Sequence, residues 1–329
     1  MTKILFYSSQ NYDQESFNDS NSKLDMGFEF DFLEAHLNET TAKLAQGYKA
    51  VCAFVNDDLS AKVLEILKVA GVELVTMRCA GYNNVDLEKA KELGITVTRV
   101  PEYSPYAVAE HSCALVITLN RKTHKAYNRS RDLNFKISGL RGFDLNDKKI
   151  GIIGFGKIGQ IAAKIFHGFG MEILIYDPFF KEQPEFGSLV DLDEVLKESD
   201  VISLYCPLTK DTKHMINSDA IDKMKTGVML INTSRGALID TKAVIKGLKS
   251  GKIGYLGIDV YEEEADIFFE DHEDEIIQDD VLSRLLTFPN VLVTGHQAFF
   301  TQEALDEIAK VTLENISNFI EGKKLINQV

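Results

Sequence analysis

Positive charge is scarce in this chain. Against 50 aspartates and glutamates stand 36 lysines and arginines, a formal net charge of −14 over 329 residues. A surface of that sign repels nucleic-acid phosphates and anionic lipid, which excludes both as partners. An anionic ligand would need a local cation to hold it. Cysteine is sparse too: Cys52, Cys79, Cys113 and Cys206 are the four, and no two stand at C-x-x-C spacing. That argues against a disulfide framework and a thiolate metal site, so no metal is expected. Reduced thiols of a cytoplasmic protein are expected instead. No apolar run reaches membrane-spanning length, and the N-terminal MTKILFYSS lacks a signal-peptide core and reads as a first strand. Internal repeats and low-complexity tracts are also missing.

What is present is length and alternation. A chain of 329 residues with an ordinary 45% hydrophobic content has room for two domains and a sizeable core. Over the first hundred residues, the apolar runs Ile4–Ser8, Ala50–Val55, Val72–Cys79 and Ile95–Val100 read as strands. The helical patterns Ser60–Gly71 and Leu87–Gly94 lie between them, the first with a serine N-cap and a glycine stop. Phe28–Leu37 mixes strand and helix signals. A long helix is expected from Ser104, with Pro105 tolerated at its start. Residues 128–147 read as a polar, irregular crossing between domains. Six further strand candidates follow: KIGIIG, EILIYD, VISLYC, VMLINTS, YLGID and NVLVTGH. Strands alternating with helices predict an α/β protein with parallel sheets. Six strands complete a dinucleotide-binding sheet by His296, so the amphipathic tail helix 303–322 is expected to pack back on the first domain. The acid-rich stretch 262–280 reads as a solvated insertion.

Lys149–Gly159, KIGIIGFGKIG, is the most informative segment. An apolar run enters Gly154, Gly156 and Gly159 at G-x-G-x-x-G spacing, and helix-compatible residues follow. Gly154 serves the tight turn, Gly156 lets backbone approach a pyrophosphate, and Gly159 lets helix pack close to strand. The helix N-terminus offers N–H groups and a positive dipole end to phosphates. The next apolar run ends in Asp177, 18 residues after Gly159. An acid there accepts hydrogen bonds from ribose hydroxyls and repels a 2′-phosphate, which favours NAD over NADP.

In an open parallel sheet, ligands bind beyond the carboxyl ends of the strands. Asp177, Cys206–Pro207, Thr233–Gly236, Asp259 and His296 all end strand candidates, so they are expected along one edge. Beside a nicotinamide, an arginine, a histidine and a carboxylate suit hydride transfer to a carbonyl. Histidine gives the oxygen its proton near neutral pH, and a bonded carboxylate orients the ring and favours its protonated form. Arginine grips a substrate carboxylate at two points. Arg235 and His296 fill the first two roles. Glu262, Glu263 and Glu264 are consecutive, and spacing does not choose among them. His111, His124, His167, His214 and His272 are read as structural, with His111 the foremost candidate exception.

The segments INTSRGALID (231–240), GIDVYEEEADIFFEDH (257–272) and NVLVTGHQAFFT (290–301) resemble the D-isomer-specific 2-hydroxyacid dehydrogenases. RCAGYNNVD (78–86) and VPEYSPYAVAEH (100–111) extend the resemblance over nearly the whole chain. The insertion after the glutamate and the HQAFFT segment resemble the fermentative D-lactate dehydrogenases within that family. The resemblance implies a Rossmann NAD-binding domain (101–299) and a discontinuous, flavodoxin-like substrate domain (1–100 with 300–329). It places the active site in the cleft between them. It implies that Arg235 binds substrate, that Glu264 pairs with the histidine, and that His296 is the acid/base. Gly154, Gly156, Lys157, Ile158, Gly159, Asp177, Cys206, Pro207, Thr212, Thr233, Ser234, Arg235 and Asp259 match cofactor-contacting positions, Asp259 on the carboxamide side. Ala80 and Gly81 match the loop whose amides hold the substrate carboxylate, while Tyr103 and Phe299 match residues closing a small pocket. NADH reduction of pyruvate to D-lactate by a homodimer or homotetramer is the implied activity. The alternatives are a bulkier 2-keto acid, decided by pocket volume, and a non-enzymatic NAD-sensing corepressor, against which the intact Arg–Glu–His set argues.

Overall fold

The computed structural model describes residues 2–264 and 267–329. Ala265 and Asp266, within the EEEADIFF motif, lie outside the described residues. The chain forms two compact units. One comprises the residues up to Ser104 with Phe300–Val329, and the other comprises Pro105–Phe299.

In the first unit, β1 (Lys3–Phe6), β2 (Glu29–Phe32), β3 (Ala50–Ala53), β4 (Leu74–Met77) and β5 (Thr96–Thr98) form one parallel sheet. Their order, β2-β1-β3-β4-β5, is the flavodoxin-like one. The ambiguous 28–37 stretch resolves as the edge strand β2. Helices α2 (Ala61–Ala70) and α3 (Leu87–Leu93) lie where the periodicity predicts. Gly71 stops α2 in the left-handed region at φ 97°, whereas the Ser60 side chain makes no capping bond. Sequence reasoning did not find α1 (Asn11–Lys23). Its buried face is Asp13, Ser16, Phe17 and Ser20, which carries almost no hydrophobic period. The C-terminal helix Gln302–Ile320, capped by Thr301, packs on α1, and the tail returns to β5 through Val329 N–H donating to the Val97 carbonyl.

A buried ion pair crosses this unit. Arg78, 2% exposed, donates from Nε to Asp13 at 3.3 Å and from its Nη atoms to the carbonyls of Tyr7 and Ser8 at 2.9 and 2.6 Å. Replacing it by leucine would leave a buried carboxylate and two carbonyls without their donor. Arg78→Leu is therefore expected to destabilise the unit by about 3–5 kcal/mol. A urea denaturation series followed by circular dichroism reads this as a lowered midpoint for one of two transitions. An unchanged midpoint would refute the assignment.

The second unit opens with α4 (Pro105–Arg121) and α5 (Thr123–Arg131). Its parallel sheet contains β6 (Lys149–Ile153), β7 (Glu172–Tyr176), β8 (Ser188–Leu189), β9 (Val201–Leu204), β10 (Val228–Asn232), β11 (Ile253–Ile258) and β12 (Val291–Val293). The order is β12-β11-β10-β9-β6-β7-β8, the Rossmann arrangement with one more strand than the six predicted. The addition, β8, is two residues long, too short for any pattern. The crossover helices are α6 (Lys157–Gly168), α7 (Leu192–Glu198), α8 (Ser218–Lys223), α9 (Thr241–Ser250) and α10 (Asp280–Leu286).

Two sequence expectations need correction here. Residues 128–147 do not cross between units. They begin inside α5 and stay within the second unit. Buried Asn120 holds the return of this segment by exchanging two 2.8 Å hydrogen bonds with the Phe143 backbone. Nor is the acid-rich 262–280 stretch simply solvated. Phe268 is 7% exposed in the core, Ile267 and Phe269 pack beside it, and Asp279 caps α10. The apolar residues interrupting the acidic run anchor it.

Candidate active site

The strand order reverses beside β6, with β7 on one side and β9 on the other. This is the topological switch point at which such sheets bind ligands. The three fingerprint glycines each meet a different demand there. Gly154 has φ 93°, and a Cβ on it would stand 2.4 Å from the Cys206 amide nitrogen at the end of β9. A Cβ on Gly159 would stand 2.2 Å from the Gly154 carbonyl oxygen, so α6 touches the strand it follows. Around Gly156 there is open space, and no side chain caps α6. Asp177 steadies the turn: Oδ2 accepts from Phe155 N at 2.7 Å, while Oδ1 accepts from Phe179 and Phe180 N. Lys157 is exposed at the start of α6, and Ile158 is half-buried behind it.

The ends of β9 and β10 are joined by Ser234 Oγ, which donates to the Cys206 carbonyl at 2.7 Å. Thr212 closes the loop after β9 by donating to the Pro207 carbonyl at 2.7 Å. Burial pushes the Cys206 thiol up to about 11, so it stays protonated at neutral pH. Thr233 Oγ1 is buried with no hydrogen-bond partner among the described residues. An open glycine cradle at an uncapped helix N-terminus, a carboxylate at the end of β7 and this orphaned hydroxyl together fit a dinucleotide.

Arg235 follows β10 in extended conformation, half-buried, with Nη1 donating to the Ser234 carbonyl at 2.7 Å. Among the described residues it pairs with no carboxylate, which leaves its charge available to an anion. His296, after β12, takes a left-handed backbone (φ 52°) that residues other than glycine seldom adopt. Its N–H donates to the Asp259 carbonyl at 2.7 Å. Its ring Nδ1 lies 2.9 Å from Glu264 Oε1, and Glu264 Oε2 accepts from Tyr261 N at 2.7 Å. With Nδ1–H directed to the carboxylate, Nε2 is the nitrogen left for a ligand. The Phe269 ring lies 5.6 Å from the imidazole.

The structure separates the glutamate triplet. Glu264 takes His296, Glu262 takes His214 and Thr241, and Glu263 is exposed. Asp259 is fully buried, and its oxygens accept from Thr294 Oγ1, Gln297 N and Ala298 N at 2.5, 3.0 and 2.8 Å. It therefore organises the 294–298 turn. His111, the candidate exception among the structural histidines, supports that same turn. From α4 its Nε2 reaches Thr294 Oγ1 at 3.1 Å and Asp259 Oδ1 at 3.3 Å. Sequence reasoning missed Thr294 and the pairing of Glu262 with His214. Only the Asp-x-x-x-x-Glu spacing after β11 hinted that one turn carries several roles.

In the first unit, Ala80 and Gly81 follow β4 at the carboxyl edge of that sheet. The Ala80 carbonyl accepts from Arg99 at 2.8 Å and the Gly81 carbonyl from Cys79 Sγ at 3.2 Å. Their amide N–H groups have no acceptor among the described residues. Tyr103 and Phe299 are half-buried, one at the end of each unit's chain segment. Among the described residues no group of three or more His, Cys, Asp or Glu side chains could hold a metal, and no helix is long and apolar enough to cross a membrane.

A family model described as D-isomer specific 2-hydroxyacid dehydrogenase, NAD binding domain, matches residues 113–298. The chain is 52% identical over 329 residues to D-lactate dehydrogenase of Escherichia coli, covering 99% of each. Among solved structures, the pyruvate reductase of Chlamydomonas reinhardtii superposes with a TM-score of 0.94 at 42% identity, over 99% of this chain and 98% of that one. D-Lactate dehydrogenase with NAD+ from Lactobacillus jensenii gives 0.84 at 30% identity, over 100% and 99%.

Proposed function

Because this chain belongs to the D-isomer-specific 2-hydroxyacid dehydrogenases, we propose that it reduces pyruvate to D-lactate, in the fermentative direction, with NADH. The observation that carries the reading is the His296–Glu264 pair, with ring Nε2 open, on the same sheet edge as the unpaired Arg235. NADH, when bound, supplies the hydride that goes to C2 of the keto acid.

The chain's own residues do the rest. The fingerprint turn at Gly154–Gly159 and the α6 N-terminus hold the phosphates, and Asp177 faces the ribose. Lys157, Ile158, Cys206, Pro207, Thr212, Thr233 and Ser234 line the same strand ends. Arg235 grips the substrate carboxylate at two points, and the Ala80 and Gly81 amides are assigned to the same group. His296 Nε2–H donates its proton to the carbonyl oxygen as C2 is reduced. Glu264 holds the imidazolium and fixes its tautomer. In lactate oxidation the same nitrogen takes the hydroxyl proton. Tyr103 and Phe299 limit the pocket to a small side chain. Asp259 acts through the turn it holds.

The test is NADH oxidation with pyruvate, followed by a chiral assay of the lactate. Turnover giving the D-isomer is the expected result. Faster turnover with phenylpyruvate than with pyruvate would move the substrate to a bulkier keto acid, and L-lactate would overturn the handedness.

The acting form is proposed to be a homo-oligomer, a dimer or tetramer, joined through α5 and the segment after it. No residue of α5 is buried, and Leu133, Phe135 and Ile137 are 79%, 74% and 84% exposed. Residues 121–141 also hold seven lysines and arginines against one acid, Asp132, in a chain of net charge −14. Burial, with Lys122 and Arg129 nearby, pushes the Lys125 ammonium below its ordinary range. A second copy of this acidic chain supplies both the apolar and the anionic surface. Sedimentation velocity should show a dimer or larger, and the doubly substituted F135E/I137E chain should sediment as a monomer. The four free cysteines support a cytoplasmic location.

A further inference from the structure

Glu262 stands two residues before the glutamate on His296, yet its carboxylate serves other partners. Oε1 meets His214 Nε2 at 2.5 Å. Oε2 accepts from Thr241 Oγ1 at 2.8 Å and Thr241 N at 3.3 Å. His214 lies in the loop after β9. Thr241 opens α9, just past the turn that carries Arg235, and Glu262 itself lies in the turn after β11. One half-buried carboxylate thus ties together the loops that end three neighbouring strands.

The backbones of these loops also interlock. A Cβ on Gly236 would stand 2.1 Å from the Tyr261 carbonyl carbon and 2.4 Å from Glu262 N, so the Arg235 turn rests directly on the Glu262 turn. His214 N–H donates to the Ala237 carbonyl at 2.8 Å, and Ile216 N–H to that of Leu238 at 3.1 Å. His214 keeps a left-handed backbone, φ 53°, while its side chain is anchored by Glu262. Anchoring to the core is already provided next door. Tyr261 is 4% exposed, and its hydroxyl donates to Asp279 at 2.7 Å. The bonds of Glu262 run sideways instead, toward the loops that carry the substrate arginine and the cofactor edge.

We propose that Glu262, braced by His214, is a positioning residue that sets the placement of Arg235 relative to the Glu264–His296 pair. The proposal rests on the reading that Arg235 holds the substrate carboxylate and His296 moves the proton. Glu262 touches no reacting atom. Its effect is geometric, and a small misplacement of a gripping or proton-moving group costs large factors in rate.

The test uses the full chain with Glu262→Ala, Glu262→Gln and His214→Ala, beside wild type and Arg235→Lys. Oxamate, a pyruvate isostere, probes the carboxylate grip, and NADH fluorescence probes the cofactor site. Glu262→Ala is expected to lower kcat/KM for pyruvate by about 30-fold and to weaken oxamate by about tenfold, with NADH affinity within twofold of wild type. Glu262→Gln, whose one carbonyl oxygen still accepts from Thr241 while its amide N–H donates to the Nε2 of a neutral His214, should recover to within about fivefold, and His214→Ala should fall between the two. Activity within threefold of wild type in both Glu262→Ala and His214→Ala would overturn the proposal. So would parallel losses of NADH affinity and oxamate affinity, which mark a general structural role. If Glu262→Ala does not fold, His214→Ala and Glu262→Gln decide by the same criteria. Failure of the underlying reading is separate: wild type would then not reduce pyruvate, or Arg235→Lys would leave oxamate binding unchanged.

Discussion

His296→Gln is expected to lower kcat for pyruvate reduction by about 10²- to 10⁴-fold, the range for loss of a positioned proton donor. Glutamine can still place an N–H near the carbonyl oxygen and can still meet Glu264, but it has no proton to give. The substitution should therefore strike kcat far harder than the affinity for NADH, whose phosphate cradle lies at Gly154–Gly159, on other strand ends. The left-handed backbone at His296 is held by its N–H bond to the Asp259 carbonyl, which any residue but proline can make, so the turn should survive. Stopped-flow NADH oxidation at saturating pyruvate, with NADH titrated separately, checks both halves. A kcat within threefold of wild type would remove His296 from the chemistry.

Arg235→Lys is expected to cost about 10²-fold in kcat/KM, chiefly through KM for pyruvate. Guanidinium presents two parallel N–H donors to a carboxylate, whereas ammonium is a single point charge on a shorter reach. Losing one charge-assisted hydrogen bond of about 1.5–3 kcal/mol corresponds to roughly ten- to hundredfold. The backbone cannot shift to compensate. Asn232 Nδ2 holds the Arg235 carbonyl at 2.8 Å, and Gly236 is pressed against Tyr261. Steady-state kinetics with pyruvate and with 2-oxobutyrate read the effect. A KM unchanged for both would show that another cation holds the carboxylate.

The elements that sequence reasoning found share a property: their signals are local. The fingerprint needs only three glycines, an apolar run before them and an acid 18 residues on; Gly154 and Gly159 each allow a close backbone contact, while Gly156 leaves open space. The central strands β3, β4, β9 and β10 are buried on both faces and so read as continuous apolar runs, which periodicity detects. Failures occur where burial and pattern part company. Helix α1 buries two serines and an aspartate that Arg78 and the Gln10 N–H satisfy, so no hydrophobic stripe announces it. Strand β8 is too short to have a pattern. The stretch 262–280 looks solvated by composition, yet Phe268 enters the core and Phe269 lies beside the imidazole.

By itself, then, the sequence determined two parallel-sheet α/β layouts, a dinucleotide turn after β6, and a set of polar residues at strand ends. Those properties follow from backbone conformation and from side chains a few positions apart. Which glutamate of the triplet meets His296, that Asp259 is buried within a turn, that His111 reaches that turn from α4, and that Glu262 joins three loops were decided by tertiary structure. Each depends on residues far apart in the chain: 32 positions for Glu264 with His296 and 48 for His214 with Glu262. Consecutive carboxylates are chemically alike, and only the direction in which a folded turn points each one assigns them different partners.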